Sequence, residues 1–263
     1  MQKIRLGDME LGALFVLEEA EAGIITLAEL AKKLKLSRVQ TWKLASRLAR
    51  KRRLIRLKRG IYLFAPMKAG RKGLWTEDSL VLVPKLMENK NYYVGFWAAL
   101  NHYGLTEQIP ITVQIVTTSR ERSFEALQSR FEFVQVRKLG EWREEKIGNK
   151  TARFATIEQL ILDCLALPKK SGGTKEACKA LWNARKRMDW QKLQALASES
   201  TDAVQRRLGY LCDLLAIRKF KAKKFAGLRW LDPSSSKKKT GKSSKWGLRL
   251  NVSEKELTEW RAY

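Results

Sequence analysis

The chain has 263 residues, and its 44% hydrophobic content is enough for a buried core and excludes a disordered polyelectrolyte. The 53 Lys and Arg residues against 27 Asp and Glu residues leave a net charge of +26, which favours nucleic acid as a partner, before an acidic protein or an anionic membrane surface. No run of eighteen residues is apolar, and the first residues, MQKIRLGDME, lack the apolar region of a secretory signal. We therefore expect a soluble cytoplasmic protein without a membrane partner.

The cysteines and the single histidine do not form a metal-binding pattern. Cys164, Cys178 and Cys212 are odd in number and have no C-x-x-C spacing, and His102 lies 62 residues before the nearest of them. We predict reduced core cysteines, a histidine that packs or caps at a helix end, and neither a metal site nor a cofactor.

Residues 1–66 are predicted to form a DNA-binding domain that begins with two helices. The first is expected over Asp8–Glu19, and Gly23 ends its pattern. In TLAELAKKL, Thr26 and Glu29 have the spacing of a capping box, in which each side chain accepts a hydrogen bond from a backbone N–H at the helix start. The positions predicted to face the core are Leu11, Leu14, Phe15 and Leu17 in the first helix and Leu27, Leu30, Ala31 and Leu34 in the second.

A third helix is predicted after a short link, with Ser37 as its N-cap. Two capped helices with so short a turn predict a helix-turn-helix, whose second helix reads the major groove of DNA. There Arg and Lys suit guanine, Gln suits adenine and Thr suits the methyl group of thymine. The positions predicted to face the core are Trp42, Ala45, Leu48 and Ala49. The predicted DNA contacts of this helix are Ser37, Arg38, Gln40, Thr41, Lys43 and Arg47.

A hairpin is predicted directly after this helix, in the stretch KRRLIRLKRGIYLFAP. Leu54–Leu57 and Ile61–Phe64 have the pattern of two strands, and Gly60 in the turn between them allows a positive φ. A hairpin in this place is a wing, whose tip lies against phosphates while Tyr62 and Phe64 pack on the helices. The predicted DNA contacts of the wing are Arg56, Lys58, Arg59 and Gly60.

The positive charge is concentrated in two stretches. From Leu30 to Thr76 there are sixteen Lys and Arg residues and no Asp or Glu, and from Arg218 to Arg249 there are twelve against Asp232 alone. The first stretch supports DNA contact, although a basic surface helix beside a hairpin is also typical of a solvated face. Within the second, the basic insert PSSSKKKTGKSSK at 233–245 has nothing to bury and predicts a mobile loop or linker.

Residues 75–263 are predicted to form a larger mixed α/β domain, so that the whole chain is α+β. Strands are expected in ITVQIVTTS and RFEFVQVRK, and the domain boundary is expected near Ala65–Gly73, where Pro and Gly interrupt the pattern. The predicted helices are Glu77–Glu88, Val94–Tyr103 with Gly104 as C-cap, the segment TARFATIEQLILDCLALP, Lys175–Met188, Gln191–Ala197 and Asp202–Ala216.

A search of this domain for catalytic motifs gives one weak pattern. Glu144 and Lys146 form an E-x-K, as in metal-dependent nucleases, but no upstream Asp accompanies them. The sequence of the domain has no Gly-rich phosphate loop, no nucleophile elbow and no H-E-x-x-H motif. We therefore predict a binding or regulatory domain without catalytic residues.

Several segments in order along the chain resemble the AbiEi-type antitoxins of type IV toxin–antitoxin (abortive infection) systems. They are RLIRLKRGIYLF, YYVGFWAALNHYGL followed by EQIP, TIEQLILDCLALPKKSGG, VQRRLGYLCDLL and WGLRLNV. The resemblance implies a winged helix that represses its own operon at inverted repeats in double-stranded DNA. It also implies a C-terminal domain that counters a nucleotidyltransferase-like toxin encoded beside it, with or without direct contact. The basic insert departs from the pattern, and we expect it to add nonspecific DNA or RNA affinity.

Two other functions stay open at this point. A nuclease delivered to duplex by the winged helix would use Glu144 and Lys146, and a stand-alone transcription factor would use the larger domain to sense a ligand or partner.

Overall fold

A computed structural model describes residues 5–20, 23–70, 78–126, 128–148, 150–236, 238 and 240–262. The first part of the chain contains three helices and a small sheet in which an early strand joins a hairpin. The elements are α1 (Asp8–Glu19), β1 (Ile24–Thr26), α2 (Leu27–Leu34), α3 (Arg38–Arg50), β2 (Leu54–Lys58) and β3 (Ile61–Phe64). The sheet has the order β1-β3-β2 with antiparallel neighbours, and this arrangement is the winged helix-turn-helix that the sequence predicts.

Both predicted helix caps of the helix-turn-helix are confirmed. Thr26 Oγ1 accepts a hydrogen bond from Glu29 N at 3.1 Å, and Glu29 Oε2 accepts one from Thr26 N at 2.8 Å. Ser37 Oγ likewise accepts from Gln40 N at 3.3 Å. Between the two helices, Lys35 ends α2 in the left-handed conformation, with φ 52°, and so turns the chain within three residues. These local contacts therefore fix where α2 and α3 begin.

The core under helices α2 and α3 agrees with the prediction for the wing but only in part for the first helix. Tyr62 and Phe64 are buried and pack in the same cluster as the helices. In α1, however, the predicted core positions Leu11 and Phe15 are exposed, since Ala13 takes a place on the buried face beside Leu14 and Leu17. Because Ala13 leaves more room than a larger side chain would, α1 packs closely on its neighbours.

The second part of the chain contains a larger sheet, a small sheet and helices around them. The helices are α4 (Val83–Leu86), α5 (Phe96–His102), α6 (Ile157–Ala166), α7 (Thr174–Ala184), α8 (Trp190–Glu199), α9 (Asp202–Leu215) and α10 (Glu254–Thr258). The strands are β4 (Tyr92–Gly95), β5 (Thr112–Thr117), β6 (Phe124–Ala126), β7 (Ser129–Gln135), β8 (Trp142–Ile147), β9 (Lys150–Ala155), β10 (Arg229–Trp230), β11 (Gly241–Ser243) and β12 (Leu248–Leu250). The sheet orders are β6-β7-β5-β4-β9-β8 and β10-β12-β11, so the chain is mixed α/β as predicted.

Two predicted segments of this part differ in the structure. Val94 lies in strand β4, and the helix that was expected to begin there begins at Phe96. The residues TARFA form strand β9 and only Ile157 onward is helical, because Val94 pairs with Phe154 across a parallel connection that sequence periodicity does not show. The predicted helix start at Glu77 lies outside the described residues.

The basic insert is not wholly a loop. Residues 241–243 form strand β11, which pairs antiparallel with β12, and Thr240 N donates to Leu250 O at 2.7 Å. Lys237 and Lys239 of the insert lie outside the described residues. The prediction of a mobile segment was therefore wrong for the second half of the insert, because backbone pairing with β12 orders it without apolar side chains.

A buried arginine holds the C-terminal segments together. The side chain of Arg206 on α9 is fully buried and donates to the carbonyls of Ala226, Gly227 and Gly247 at 2.7 to 2.9 Å, and to Asp202 Oδ2 at 2.8 Å. A buried guanidinium is stable only when such acceptors replace its water. The motifs VQRRLGYLCDLL and WGLRLNV, which are distant in sequence, are thus joined directly.

The chain divides into two compact units, each made of more than one segment. The first consists of Met1–Lys90, Arg122–Phe131 and Lys146–Ala152, and the second of Asn91–Glu121, Glu132–Glu145 and Arg153–Tyr263. Part of the predicted boundary near Ala65–Gly73 falls on residues outside the described ranges, and the division into 1–66 and 75–263 stays a prediction. None of the described helices combines the length and the apolar character that a bilayer span requires.

Candidate nucleic-acid interface

Helix α3 has one face toward the core and an opposite face of mixed cationic and apolar side chains. Leu44, Ala45 and Leu48 are buried together with Thr41. On the other side, α3 exposes Val39, then Trp42 and Lys43 one turn later, and Arg50 two turns after Lys43, with Arg38 at the helix start. Recognition by a helix in the major groove uses the face away from the core, so these residues form the candidate base-reading surface.

Thr41 was predicted to contact DNA, and the structure contradicts this. Thr41 is only 1% exposed, and its Oγ1 donates to Ser37 O at 2.8 Å inside the helix start. Its hydroxyl is therefore satisfied by the backbone four residues earlier, which is a common use of Thr in a first turn. The residue supports the position of α3 and does not reach a base.

The opposite error concerns Trp42, which was predicted to lie in the core. Trp42 is 58% exposed, and Val39, one turn before it, is 62% exposed. The sequence pattern favoured Trp as the large apolar residue of the buried face, but Thr41 and Leu44 occupy that face. Val39, Trp42 and Arg50 were therefore missed as members of the candidate surface. The spacing of Leu44, Ala45 and Leu48 would have indicated which side of the helix is buried.

Ser37 and Gln40 lie at the start of α3, where both were predicted to contact DNA. Their side chains form a reciprocal pair, since Gln40 Oε1 also accepts from Ser37 N at 2.9 Å. Both residues are exposed, and the cap uses the amide oxygen of Gln40 and not its amide nitrogen. The cap fixes the Gln40 side chain, so any contact with adenine would come from a preordered amide.

Arg47 was predicted to read a base, and the structure places it beside α1. Its Nε lies 3.6 Å from Glu10 Oε1, and Lys51 also binds Glu10, which is buried. Burial alone would raise the pKa of Glu10, but the hydrogen bonds from Lys51 and from the Gly7 N–H and the charges of Lys51 and Arg47 outweigh it, and the pKa lies below its usual value. Arg47 is half-exposed and is tied to this carboxylate.

The wing, Leu54–Phe64, has an exposed cationic tip. Arg56 and Arg59 are exposed, and Gly60 has φ +76°, which confirms the predicted need for glycine in the turn. Lys58 is half-buried, and its Nζ lies 5.4 Å from the centroid of the Phe124 ring in the same compact unit. Arg56 and Arg59 are thus the open cations of the wing, while Lys58 is engaged by an aromatic ring.

The alternative nuclease function rests on the E-x-K pattern at Glu144 and Lys146. Glu144 and Lys146 are exposed on edge strand β8, whereas Glu145 points to the other face and binds Arg143 Nε at 2.6 Å. His102 ends α5, stacks on Phe154 with ring centroids 4.2 Å apart, and packs there as predicted. Among the described residues, no three His, Cys, Asp or Glu side chains come together as a metal site. Burial raises the thiol pKa of all three cysteines, Cys164, Cys178 and Cys212.

The comparison with protein families concerns the first unit. Residues 14–65 match a family model described as a transcriptional regulator, AbiEi antitoxin. The match runs from within α1 to the end of the wing, about a fifth of the chain, and confirms the resemblance to AbiEi-type antitoxins in that segment. Over that segment, the chain is thus similar to the transcriptional regulators of the AbiEi antitoxin family.

A comparison with solved structures extends over the whole chain. The crystal structure of the RV2827C protein from Mycobacterium tuberculosis is similar with a TM-score of 0.70, and the similarity covers 99% of this chain and 97% of that chain. The two sequences are 14% identical, so the likeness concerns the fold. A sequence comparison with curated proteins finds no match.

Proposed function

We propose that the protein is a DNA-binding antitoxin that represses its own toxin–antitoxin operon and acts without catalysis in the cytoplasm. The exposed face of α3 reads bases at inverted repeats upstream of the operon, and the wing holds the adjoining phosphates. The second unit counters a nucleotidyltransferase-like toxin encoded beside the antitoxin. The observation that carries the proposal is the row of exposed cations on α3 and the wing, in a stretch from Leu30 to Thr76 that contains no acid.

The geometry supports base reading as well as charge attraction. Lys43 and Arg50 can donate to guanine, and the apolar surfaces of Val39 and Trp42 suit thymine methyl groups or sugars. The rigid cap at Ser37 and the buried face of α3 hold these side chains in one register. Phosphate contacts by themselves would position the protein without selecting a sequence.

DNA binding is tested by fluorescence anisotropy with a duplex from immediately upstream of the gene and a shuffled duplex, at several salt concentrations. If six to eight cations neutralise phosphates, the log–log slope of affinity against salt should be about −5 to −7. We expect selective binding to the upstream duplex, a loss for Lys43→Ala and Arg50→Ala, and no comparable loss for Lys186→Ala, an exposed lysine of the second unit. Equal binding of both duplexes would contradict the repressor proposal.

Antitoxin action is tested separately by growth. The neighbouring gene is expressed with the native protein or with the double variant Lys43→Ala/Arg50→Ala, and promoter activity is followed in the same cells. We expect the double variant to lose repression and still relieve toxicity, because the proposed antitoxin part is the second unit. No relief by either protein would favour the stand-alone regulator, and metal-dependent cleavage of plasmid by the purified protein would favour the nuclease.

A further inference from the structure

The small sheet of the second unit presents a row of three side chains that the proposed function does not use. Lys242 on β11 is the register partner of Arg249 on β12, and Arg249 is the register partner of Trp230 on β10. The Arg249 guanidinium carbon lies 5.5 Å from the centroid of the Trp230 ring. Lys242 and Arg249 are exposed and Trp230 is partly buried, while Leu231 and Leu248 are fully buried.

The pairing of Lys242 with Arg249 is unfavourable without an anion. Side chains of directly opposite residues in a sheet are close neighbours, and like charges in such positions repel. In the described part of the chain, neither residue has a carboxylate within ion-pair distance. The row therefore holds two cations together where an external negative charge would stabilise both.

The segment that leads to β10 adds further cations and is held in place at its end. Between Ile217 and Gly227 the described basic residues are all exposed, and Arg206 fixes the carbonyls of Ala226 and Gly227 and stacks on Phe225 at 4.4 Å. The single acid of the region, Asp232, is buried and accepts hydrogen bonds from Thr174 N and from Ser234. The exposed basic residues of this segment are Arg218, Lys219, Lys221, Lys223 and Lys224.

We infer that this surface, Arg218–Lys224 with Trp230, Lys242 and Arg249, is a second nucleic-acid-binding site and that its ligand is single-stranded. A backbone of regularly spaced phosphates complements the cations, and an unpaired base can stack on the Trp230 ring in exchange for Arg249. A duplex keeps its base faces inside the stack and would leave the tryptophan unused. An acidic protein segment would complement the positive charge, but it has no repeated planar group that could stack on the Trp230 ring. The site lies wholly within the second unit and is independent of the winged helix.

The test measures anisotropy of the full chain with fluorescein-labelled dT20, U20 and a 20-base-pair duplex of shuffled sequence. Lys242→Gln/Arg249→Gln should weaken dT20 or U20 binding about tenfold and lower the salt slope by about 1.4, since single strands give about 0.7 per phosphate contact. The matched control Lys138→Gln/Lys186→Gln removes the same charge from exposed positions elsewhere and should change binding less than twofold. Trp230→Leu should weaken binding of single strands and leave the duplex unchanged.

The outcomes separate this inference from the proposed repressor function. Binding of the upstream duplex by Lys242→Gln/Arg249→Gln should stay native, and native melting temperature of the variant, measured in parallel, shows that the sheet is intact. Equal losses of affinity for this variant and the control would mean that binding depends on the total positive charge of the protein and not on this surface, and would overturn the inference. A loss confined to the duplex would assign the surface to double-stranded DNA and overturn it as well.

Discussion

At the scale of single residues, Thr41 and Trp42 have exchanged the places that their chemistry suggests. A small polar residue is buried because its hydroxyl closes a bond to Ser37 O, and a large aromatic residue is exposed next to cations. An exposed tryptophan side chain is costly in water, and a partner that covers it lowers that cost. The pair thus gives the most direct residue-level test of the interface.

Replacing these two residues should have opposite effects. Thr41→Val should lower the free energy of unfolding by about 1 kcal/mol, because a buried hydrogen bond is lost at nearly constant shape, and leave operator preference unchanged. Trp42→Ala should change stability by less than about 0.5 kcal/mol, since exposed substitutions are usually mild, and weaken operator binding. Urea unfolding and competition with operator variants measure the two effects. A changed base preference in Thr41→Val would contradict the assigned role.

Asp163 gives a prediction about pH. Burial raises the pKa of its carboxyl to about 6 from 3.8, although Gln159 Nε2 and Tyr93 OH each donate to it at 2.8 Å and oppose the shift. A raised pKa in the folded state means that the stabilising contribution is complete below about pH 3.8 and is lost as pH rises through about 6. The advantage of Asp163→Asn over the native protein should therefore grow between pH 4 and 7, by up to about 3 kcal/mol.

This pH effect is measured as the difference in unfolding free energy between the native protein and Asp163→Asn at several pH values. Taking the difference cancels the carboxylates that behave oppositely, such as Glu10 and Asp232, whose pKa values lie below their usual range. Glu144→Gln removes an exposed carboxylate elsewhere and serves as the control for a carboxylate-to-amide substitution. A flat difference for Asp163→Asn would show that its carboxyl titrates normally.

At the scale of elements, close packing joins α9 to the segment after the basic insert. A Cβ on Gly209 would lie 2.1 Å from the Trp246 ring, and Trp246 Nε1 donates to Asp213 Oδ2 at 2.7 Å. On another face of the same helix, Arg207 donates to the carbonyls of Leu165 and Trp230, so α9 also supports α6 and β10. Gly209 is therefore the position at which any side chain would separate α9 from Trp246.

Gly209→Ala should destabilise the second unit by about 1–3 kcal/mol through overpacking. Gly12→Ala is the matched control, because Gly12 also lies within a helix but a Cβ there has nothing within 4 Å. That control should gain up to about 1 kcal/mol from helix propensity. Differential scanning calorimetry measures both changes, and equal behaviour of the two variants would mean that Trp246 moves aside without cost.

The accuracy of the sequence predictions follows the range of the interactions involved. The caps at Thr26 and Ser37 and the glycine turn of the wing depend on residues three or four apart, and the sequence predicts them correctly. Strands β1 and β9 were missed because their pairing partners are distant in sequence and because each precedes a strong helix pattern. The helix-turn-helix was predicted correctly, but the buried face of α3 was assigned one residue too far along the chain. Periodicity alone favoured burial of Trp42, whereas the structure buries Thr41.

At the scale of the whole molecule, the net charge of +26 opposes compaction and promotes binding of polyanions. Salt should therefore act in two directions. Without nucleic acid, raising NaCl from 50 to 300 mM should increase the melting temperature by a few degrees, because about 1 kcal/mol of relieved repulsion moves it by about 2–4 °C in a chain of this size. The same change should weaken DNA binding. A melting temperature that falls with salt would mean that ion pairs such as Glu10–Lys51 outweigh the repulsion.

The division of labour on α3 bears on how operator preference can evolve. The side chains that hold the helix in place, Ser37, Thr41, Leu44 and Leu48, are different from those that it turns outward. Mutations can therefore change the base preference of α3 without lowering its stability, because changes at 39, 42, 43 and 50 leave the packing untouched. A library randomised at these four positions should return mostly folded proteins, from which regulators for unrelated promoters could be selected.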